Sequence, residues 1–254
     1  ASIRFAGEMV ATERTRQSLI PGQTRLEMNL TVSQPRLWWT NGAGDQPHYE
    51  AEVSVTPDGD SVASDSRSVS FGIRKIELVA NAGASPDALP YTFVVNGRKV
   101  YANGWNWVPL DVMYGVPRQQ KLEHLLRLAQ RANVNLLRVW GGGLIETEAF
   151  YQLADRYGIL VWQEFIQSSS GIDNYPPETP EYIDLMVREA EQIIPRRRNH
   201  PSLALWCGGN ELTGEETRPL DDSHPLLAAL KATVARLDPE RLWLPTSPTG
   251  PEFG

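Results

Sequence analysis

The stretch Leu203–Leu212, LALWCGGNEL, decides how this chain is read. Leu203, Ala204, Leu205 and Trp206 make a short apolar run of the kind that lies in the middle of a parallel sheet, buried on both faces. Gly208 and Gly209 follow and let the backbone turn closely. Asn210 and Glu211 then stand at the C-terminal end of that strand. In a barrel of alternating strands and helices this end is where catalytic groups collect, so Glu211 is the first candidate for chemistry. The alternative at this point is that Glu211 caps the following helix.

Working outward, the same alternation continues on both sides. Upstream, Thr179 has the character of an N-cap with Pro180 at the first helical position, and Ile183, Val187, Ala190 and Ile194 give a buried stripe that ends near Pro195. ILVWQEF (159–165) reads as a strand. Before it, the pattern predicts a helix over Glu146–Tyr157 that stops at Gly158, a strand in NLLRVWGGG (135–143) and an amphipathic helix over Arg118–Ala132. YTFVVNGRKVYANGWNWVPLDV reads as a hairpin around Asn96-Gly97 followed by a strand that delivers Asn106, Trp107 and Asp111. Downstream come a helix over Leu226–Leu237, stopped by Asp238-Pro239, and a short strand over Leu242–Pro245. Strands and helices at this spacing imply a parallel sheet, with about five of the eight strands of a (β/α)8 barrel.

The first eighty residues follow a different rule. LEMNLTV (26–32), YEAEVSV (49–55) and SVSFGIRKIEL (68–78) alternate apolar and polar residues between turn-rich segments, which points to a β-sandwich. The tandem Trp38 and Trp39 read as core and interdomain packing in preference to a sugar-stacking platform. The expected division is residues 1–80 as the sandwich, 81–90 as a linker and 91–254 as the barrel portion.

Composition narrows the function classes. In 254 residues with 41% apolar content there is material for a substantial core. A net charge of −7 argues against a nucleic-acid surface, and the basic run Arg196–Arg198 reads as a helix end. No apolar run approaches the roughly 20 residues of a membrane span, and the first residues lack a signal-peptide core. The single cysteine, Cys207, excludes an internal disulfide, reads as a small buried hydrophobe and fits a reducing compartment such as the cytoplasm. Four dispersed histidines without H-x-x-x-H or H-x-H spacing argue against a metal site, and no cofactor is expected.

Arg198–Glu211, RNHPSLALWCGGNE, resembles the acid/base signature of glycoside hydrolase family 2, and its W-C-G-x-N-E ending looks most like the β-mannosidase branch. Pro35–Val53, PRLWWTNGAGDQPHYEAEV, is similar to the W-W-x-N-G-x-G-x-Q-P-x-Y motif of the family's immunoglobulin-like second domain, and FGIRKIEL (71–78) to its final strand. The resemblance implies an immunoglobulin-like β-sandwich followed by a truncated TIM barrel. It makes Glu211 the general acid/base and Asn210 a contact to a sugar hydroxyl. It further carries substrate binding onto Asn106 and Asp111 in NWVPLD, onto Arg138 and the aromatic wall Trp140 in RVWGGG, and onto Glu164 in WQEF. The family more often has Asp where Glu164 stands and a small residue where Trp105 stands. Arg138 reads equally as one half of a buried ion pair with a strand-end acid such as Glu164. Trp206 is the expected source of the apolar surroundings that an acid needs near neutral pH.

The implied reaction is retaining hydrolysis of terminal, non-reducing β-D-mannose residues, which requires a second carboxylate as nucleophile. In the family that residue is a Glu on the seventh strand. Glu252-Phe253-Gly254 reproduces its usual E-F-G surroundings but follows the fifth strand, so the nucleophile is expected beyond Gly254 and the 254 residues alone are expected to be inactive. Two other readings stay open from sequence: the same chemistry on galactoside or glucuronide linkages, and a non-catalytic carbohydrate-binding or scaffold fragment. The expected partner is an oligosaccharide or glycoside, with no nucleic acid and no membrane; the oligomeric state is not encoded in any motif.

Overall fold

Alternating segments in the first part of the chain form antiparallel strands in the computed structural model, which describes residues 1–86, 89–116, 118–168, 174–247 and 249. β1 (Ser2–Phe5), β2 (Glu8–Thr12), β3 (Tyr49–Val55) and β4 (Asp65–Phe71) make one four-stranded sheet in the order β2-β1-β3-β4. Phe5, Tyr49 and Phe71 lie directly opposite one another in the register, and their rings meet in succession at 4.8 and 5.6 Å. Such cross-strand pairs are what hold a sheet in register.

Two sequence expectations need correction here. Leu26–Val32 alternates but is not a strand: among the described residues none pairs with it, and alternation alone cannot form a ladder without a partner. Ser68–Leu78 is not one strand but two. β4 ends at Phe71, and the chain is then drawn onto the barrel portion, where Arg74 donates to the carbonyls of Pro201 (3.0 Å) and Leu203 (2.7 Å). β5 (Ile76–Val79) resumes in a different sheet. It pairs antiparallel, across the segment Asn81–Pro90, with β6 (Thr92–Val95), which turns through Asn96-Gly97 into β7 (Arg98–Val100). Both turn residues have positive φ (50° and 80°), as a tight two-residue hairpin requires.

The remainder alternates as expected: β8 (Gly104–Trp107), α1 (Gln119–Arg131), β9 (Leu136–Val139), α2 (Glu148–Tyr157), β10 (Leu160–Glu164), α3 (Pro180–Arg197), β11 (Leu203–Cys207), α4 (Pro225–Leu237) and β12 (Leu242–Leu244). The five strands form a parallel sheet in sequence order, β8-β9-β10-β11-β12. α3 passes through Pro195 and ends two residues later; proline removes a single donor, and the Arg198 N–H bonds to Ile194 to close the last turn. The basic run thus ends a helix, with the Arg197 guanidinium over the Tyr151 ring and bonded to the Glu146 carbonyl.

Each face of the parallel sheet has its own core. On one, Leu137, Val139, Val161, Phe165, Leu203 and Trp206 pack against α1 to α4 through residues such as Leu126, Phe150, Ala190, Ile194 and Leu230. On the other, Leu160, Ala204, Leu205, Cys207 and Leu244 pack against Ile76, Phe93 and Val95 of the three-stranded sheet and against Trp38. Ala204 and Leu205 share a face because the β10–β11 register slips between Val161 and Trp162, which sends Trp206 to the helix side.

Trp38 explains the tandem tryptophans. It is fully buried, and its indole N–H donates to the Asp155 carbonyl at 2.8 Å. Nearby, the Asn41 amide donates to the carbonyls of Gln130, in the last turn of α1, and Val134, in the loop after it, at 2.8 and 3.0 Å. The W-W-x-N motif therefore docks the antiparallel part onto the α/β part. Trp39 is half-buried with the Arg98 guanidinium over its ring at 5.1 Å.

Candidate active site

Strict alternation along β9 and β10 puts Arg138, Trp162 and Glu164 on the face opposite the helices. The register sets Asn106 of β8, Arg138 of β9 and Trp162 of β10 side by side. Past the strand ends, single parallel bridges join Ser168 to Asn210 and Asn210 to Ser247, so three chain segments continue together beyond the sheet. The site is built at this C-terminal edge.

Its centre is Arg138. The guanidinium donates from Nε to Glu164 Oε1 (2.8 Å), from Nη1 to Asn106 Oδ1 (2.9 Å), and from Nη2 to both Asn210 Oδ1 (2.5 Å) and Ser247 Oγ (2.7 Å). Its Cζ also lies 5.7 Å from the centre of the Trp162 ring. Glu164 is wholly buried, and both of its oxygens are taken: Oε1 by Arg138 and the Ser247 hydroxyl, Oε2 by the Gly141 N–H at 2.7 Å. A buried pair with this many charge-assisted hydrogen bonds is a rigid support.

Asn210 is oriented at both ends of its amide, accepting from Arg138 and donating from Nδ2 to Ser168 Oγ at 3.1 Å. Glu211 follows in a left-handed conformation, φ 53°, which costs a non-glycine residue about 1–2 kcal/mol. Its N–H donates to the Ser247 carbonyl at 2.7 Å, and the next N–H, of Leu212, donates to Thr246 Oγ1 at 2.9 Å. Strain of this kind persists where surrounding bonds over-determine it, and it gathers at functional positions. The Glu211 side chain is half-buried.

Trp140 is half-buried beside this edge, and a Cβ on Gly142 would lie 2.0 Å from its ring, so only glycine lets the ring fold over the loop. Asp111 stands apart from the Arg138 network. β8 ends at Trp107, and Asp111 lies in the following loop, accepting from the Met113 N–H (3.0 Å) and from Arg118 Nε (3.2 Å). Those two contacts, the backbone one first, hold its carboxyl below the usual range.

The structure corrects one expectation about the acid's surroundings. Trp206 faces the helices, stacked on Phe165 at 5.2 Å with its indole N–H on Asp238, and so does not line the strand-end face. Cys207 is fully buried, and burial pushes its thiol pKa up, as suits a packing residue. Ser247, in the segment PTSPTG, was not singled out from sequence; no local pattern marks a serine that is joined to residues far back in the chain. Glu252-Phe253-Gly254 lie outside the described residues.

Residues 90–243 match the family model described as glycosyl hydrolases family 2, TIM barrel domain, and residues 3–74 match the model glycosyl hydrolases family 2. Beta-mannosidase B of Thermothelomyces thermophilus is 32% identical over 209 residues, 82% of this chain and 24% of the relative. Beta-mannosidase B of Emericella nidulans is 36% identical over 182 residues, 71% of this chain and 20% of the relative. Among solved structures, the β-D-mannosidase of Dictyoglomus thermophilum superposes with a TM-score of 0.83 at 33% identity, over 98% of this chain and 31% of that one. A β-glucuronidase of Bacteroides uniformis shares the fold at a TM-score of 0.76 and 19% identity, over 95% of this chain and 28% of that one. The chain thus spans between a fifth and a quarter of the length of these two curated relatives.

Proposed function

Since the chain belongs to glycosyl hydrolase family 2, we propose that it carries the acid/base side of a retaining exo-β-glycosidase site, acting on terminal, non-reducing β-D-mannose. The observation that carries the reading is Glu211, half-buried at the end of β11 beside an Asn210 amide fixed by Arg138. Glu211 protonates the departing glycosidic oxygen in the first step and deprotonates water in the second, work that contributes typically about 10²- to 10⁴-fold. Asn210, Asn106, Trp140 and Asp111 contact the sugar or its approach. Glu164 is assigned as a support for Arg138 and not as the nucleophile, because its side chain is wholly buried and both oxygens accept from Arg138, Ser247 and Gly141. The second carboxylate, about 5–5.5 Å from Glu211 in a retaining enzyme, comes from another strand of the complete barrel. Mannose is preferred as the sugar because the relatives of 32–36% identity named above carry the name beta-mannosidase.

The test is Glu211→Gln and Glu211→Ala in the full-length protein. Substrates with poor leaving groups should slow severely at the first step, whereas an activated aryl β-mannoside should still glycosylate the enzyme and stall at the second. Azide needs no general base and should restore turnover of Glu211→Ala, giving a β-mannosyl azide after two inversions. An α-azide, or equal loss on both substrates without rescue, would remove Glu211 from the acid/base role.

A further inference from the structure

We infer that Ser247 is a positioning residue for the proton donor, coupling the buried Arg138–Glu164 ion pair to the backbone that carries Glu211; this rests on the acid/base reading of Glu211. Ser247 is 6% exposed and is joined to the site in two independent ways. Its hydroxyl lies inside the charged network, accepting from Arg138 Nη2 at 2.7 Å and donating to Glu164 Oε1. Its main chain holds the catalytic segment: the carbonyl receives the Glu211 N–H at 2.7 Å, and the N–H donates to the Gly209 carbonyl at 3.2 Å. The same Arg138 nitrogen that meets Ser247 Oγ also meets Asn210 Oδ1, so one amino group sets two neighbouring segments at once.

The consequence for catalysis is geometric. Glu211 is held in a left-handed conformation that its own side chain does not favour, and the Ser247 carbonyl is its direct backbone partner. That carbonyl stays in place because the Ser247 side chain is tethered to the ion pair. Without the hydroxyl, the Arg138 N–H and a Glu164 lone pair lose a partner in a buried place, and the Ser247 peptide is left with its main-chain bonds to Gly209 and Glu211 and no tie to the ion pair. General acid catalysis needs a donor within hydrogen-bond reach, roughly 2.6–3.2 Å, of the leaving oxygen. A loosened Glu211 therefore slows steps that need the proton and spares those that do not.

Ser247→Ala in the full-length protein separates this role from mere structure, because a lowered folded fraction reduces all substrates alike. For an alkyl β-mannoside, kcat/KM should fall by about 10- to 100-fold, the range expected for a lost hydrogen bond to charged groups. For 2,4-dinitrophenyl β-mannoside, whose departure needs little protonation, it should change far less. An equal loss on both substrates, or no loss on either, overturns the inference. If Ser247→Ala does not accumulate as folded protein, Ser247→Cys, close in size but a weaker hydrogen-bonding group, is read by the same ratio with a smaller expected value. Azide rescue of Glu211→Ala, run alongside, reports on the acid/base reading alone. Rescue with an unselective Ser247 variant sinks the positioning role and leaves that reading standing; failure of rescue sinks both.

Discussion

Arg138→Met tests whether the centre of the site is also a structural support. The side chains of Arg138 and Glu164 are 17% and 0% exposed, so the substitution leaves a carboxylate in the interior with its cation gone. Breaking a buried pair from one side typically costs about 3–5 kcal/mol. Loss of the donors to Asn106, Asn210 and Ser247 acts in the same direction. With a urea dependence of about 2 kcal/mol per molar, the unfolding midpoint should move down by roughly 1.5–2.5 M. The transition is followed by tryptophan fluorescence, to which Trp162 beside Arg138 contributes. The decisive comparison is the double variant Arg138→Met/Glu164→Gln, in which neither charge of the pair remains; it should recover about 2 kcal/mol or more of the loss. A single variant within about 1 kcal/mol of the parent, or a double variant no better than the single, refutes the view that the uncompensated Glu164 charge dominates.

His200 gives a pH signature away from the site. Burial works against its charge, but the hydrogen bond and charge of Asp155 (2.6 Å), helped by Glu148 (3.2 Å), prevail and raise its pKa above the ordinary 6.5. The folded state therefore binds the proton more tightly, so this stabilisation is full below pH 6.5 and fades as pH rises through the folded value. The Tm difference between the parent and His200→Gln should shrink in that direction; a difference independent of pH contradicts it. Trp38→Phe removes the bond to the buried Asp155 carbonyl and should lower stability by about 1–3 kcal/mol, and in the full-length protein any kcat on aryl β-mannosides should stay unchanged in the folded fraction. The 254 residues expressed alone should not hydrolyse aryl β-mannosides even at high concentration, because the second carboxylate is proposed to stand on another strand. Turnover abolished by Glu252→Gln would instead assign the second carboxylate role to Glu252.

The sequence by itself determined the kinds of element in the α/β part and which candidate side chains stand at its strand ends. Period-two alternation places Arg138 and Glu164 on one face of their strands, and the small residues after Trp206 mark where β11 turns to present Asn210 and Glu211. The ion pair between Arg138 and Glu164, one of two readings open from sequence, is present. Alternation counts faces along a single strand, however, and says nothing about which distant segment will pair with it. Leu26–Val32 alternates without finding a partner among the described residues, and β5 joins β6 across the segment that reads as a linker. The register slip between β10 and β11 turned Trp206 away from the acid it was expected to surround. Ser247 was decided by tertiary structure alone. Its hydroxyl meets Arg138, 109 residues earlier, only because the ends of β9, β10, β11 and β12 are brought together by sheet register, a long-range property that no local residue pattern encodes.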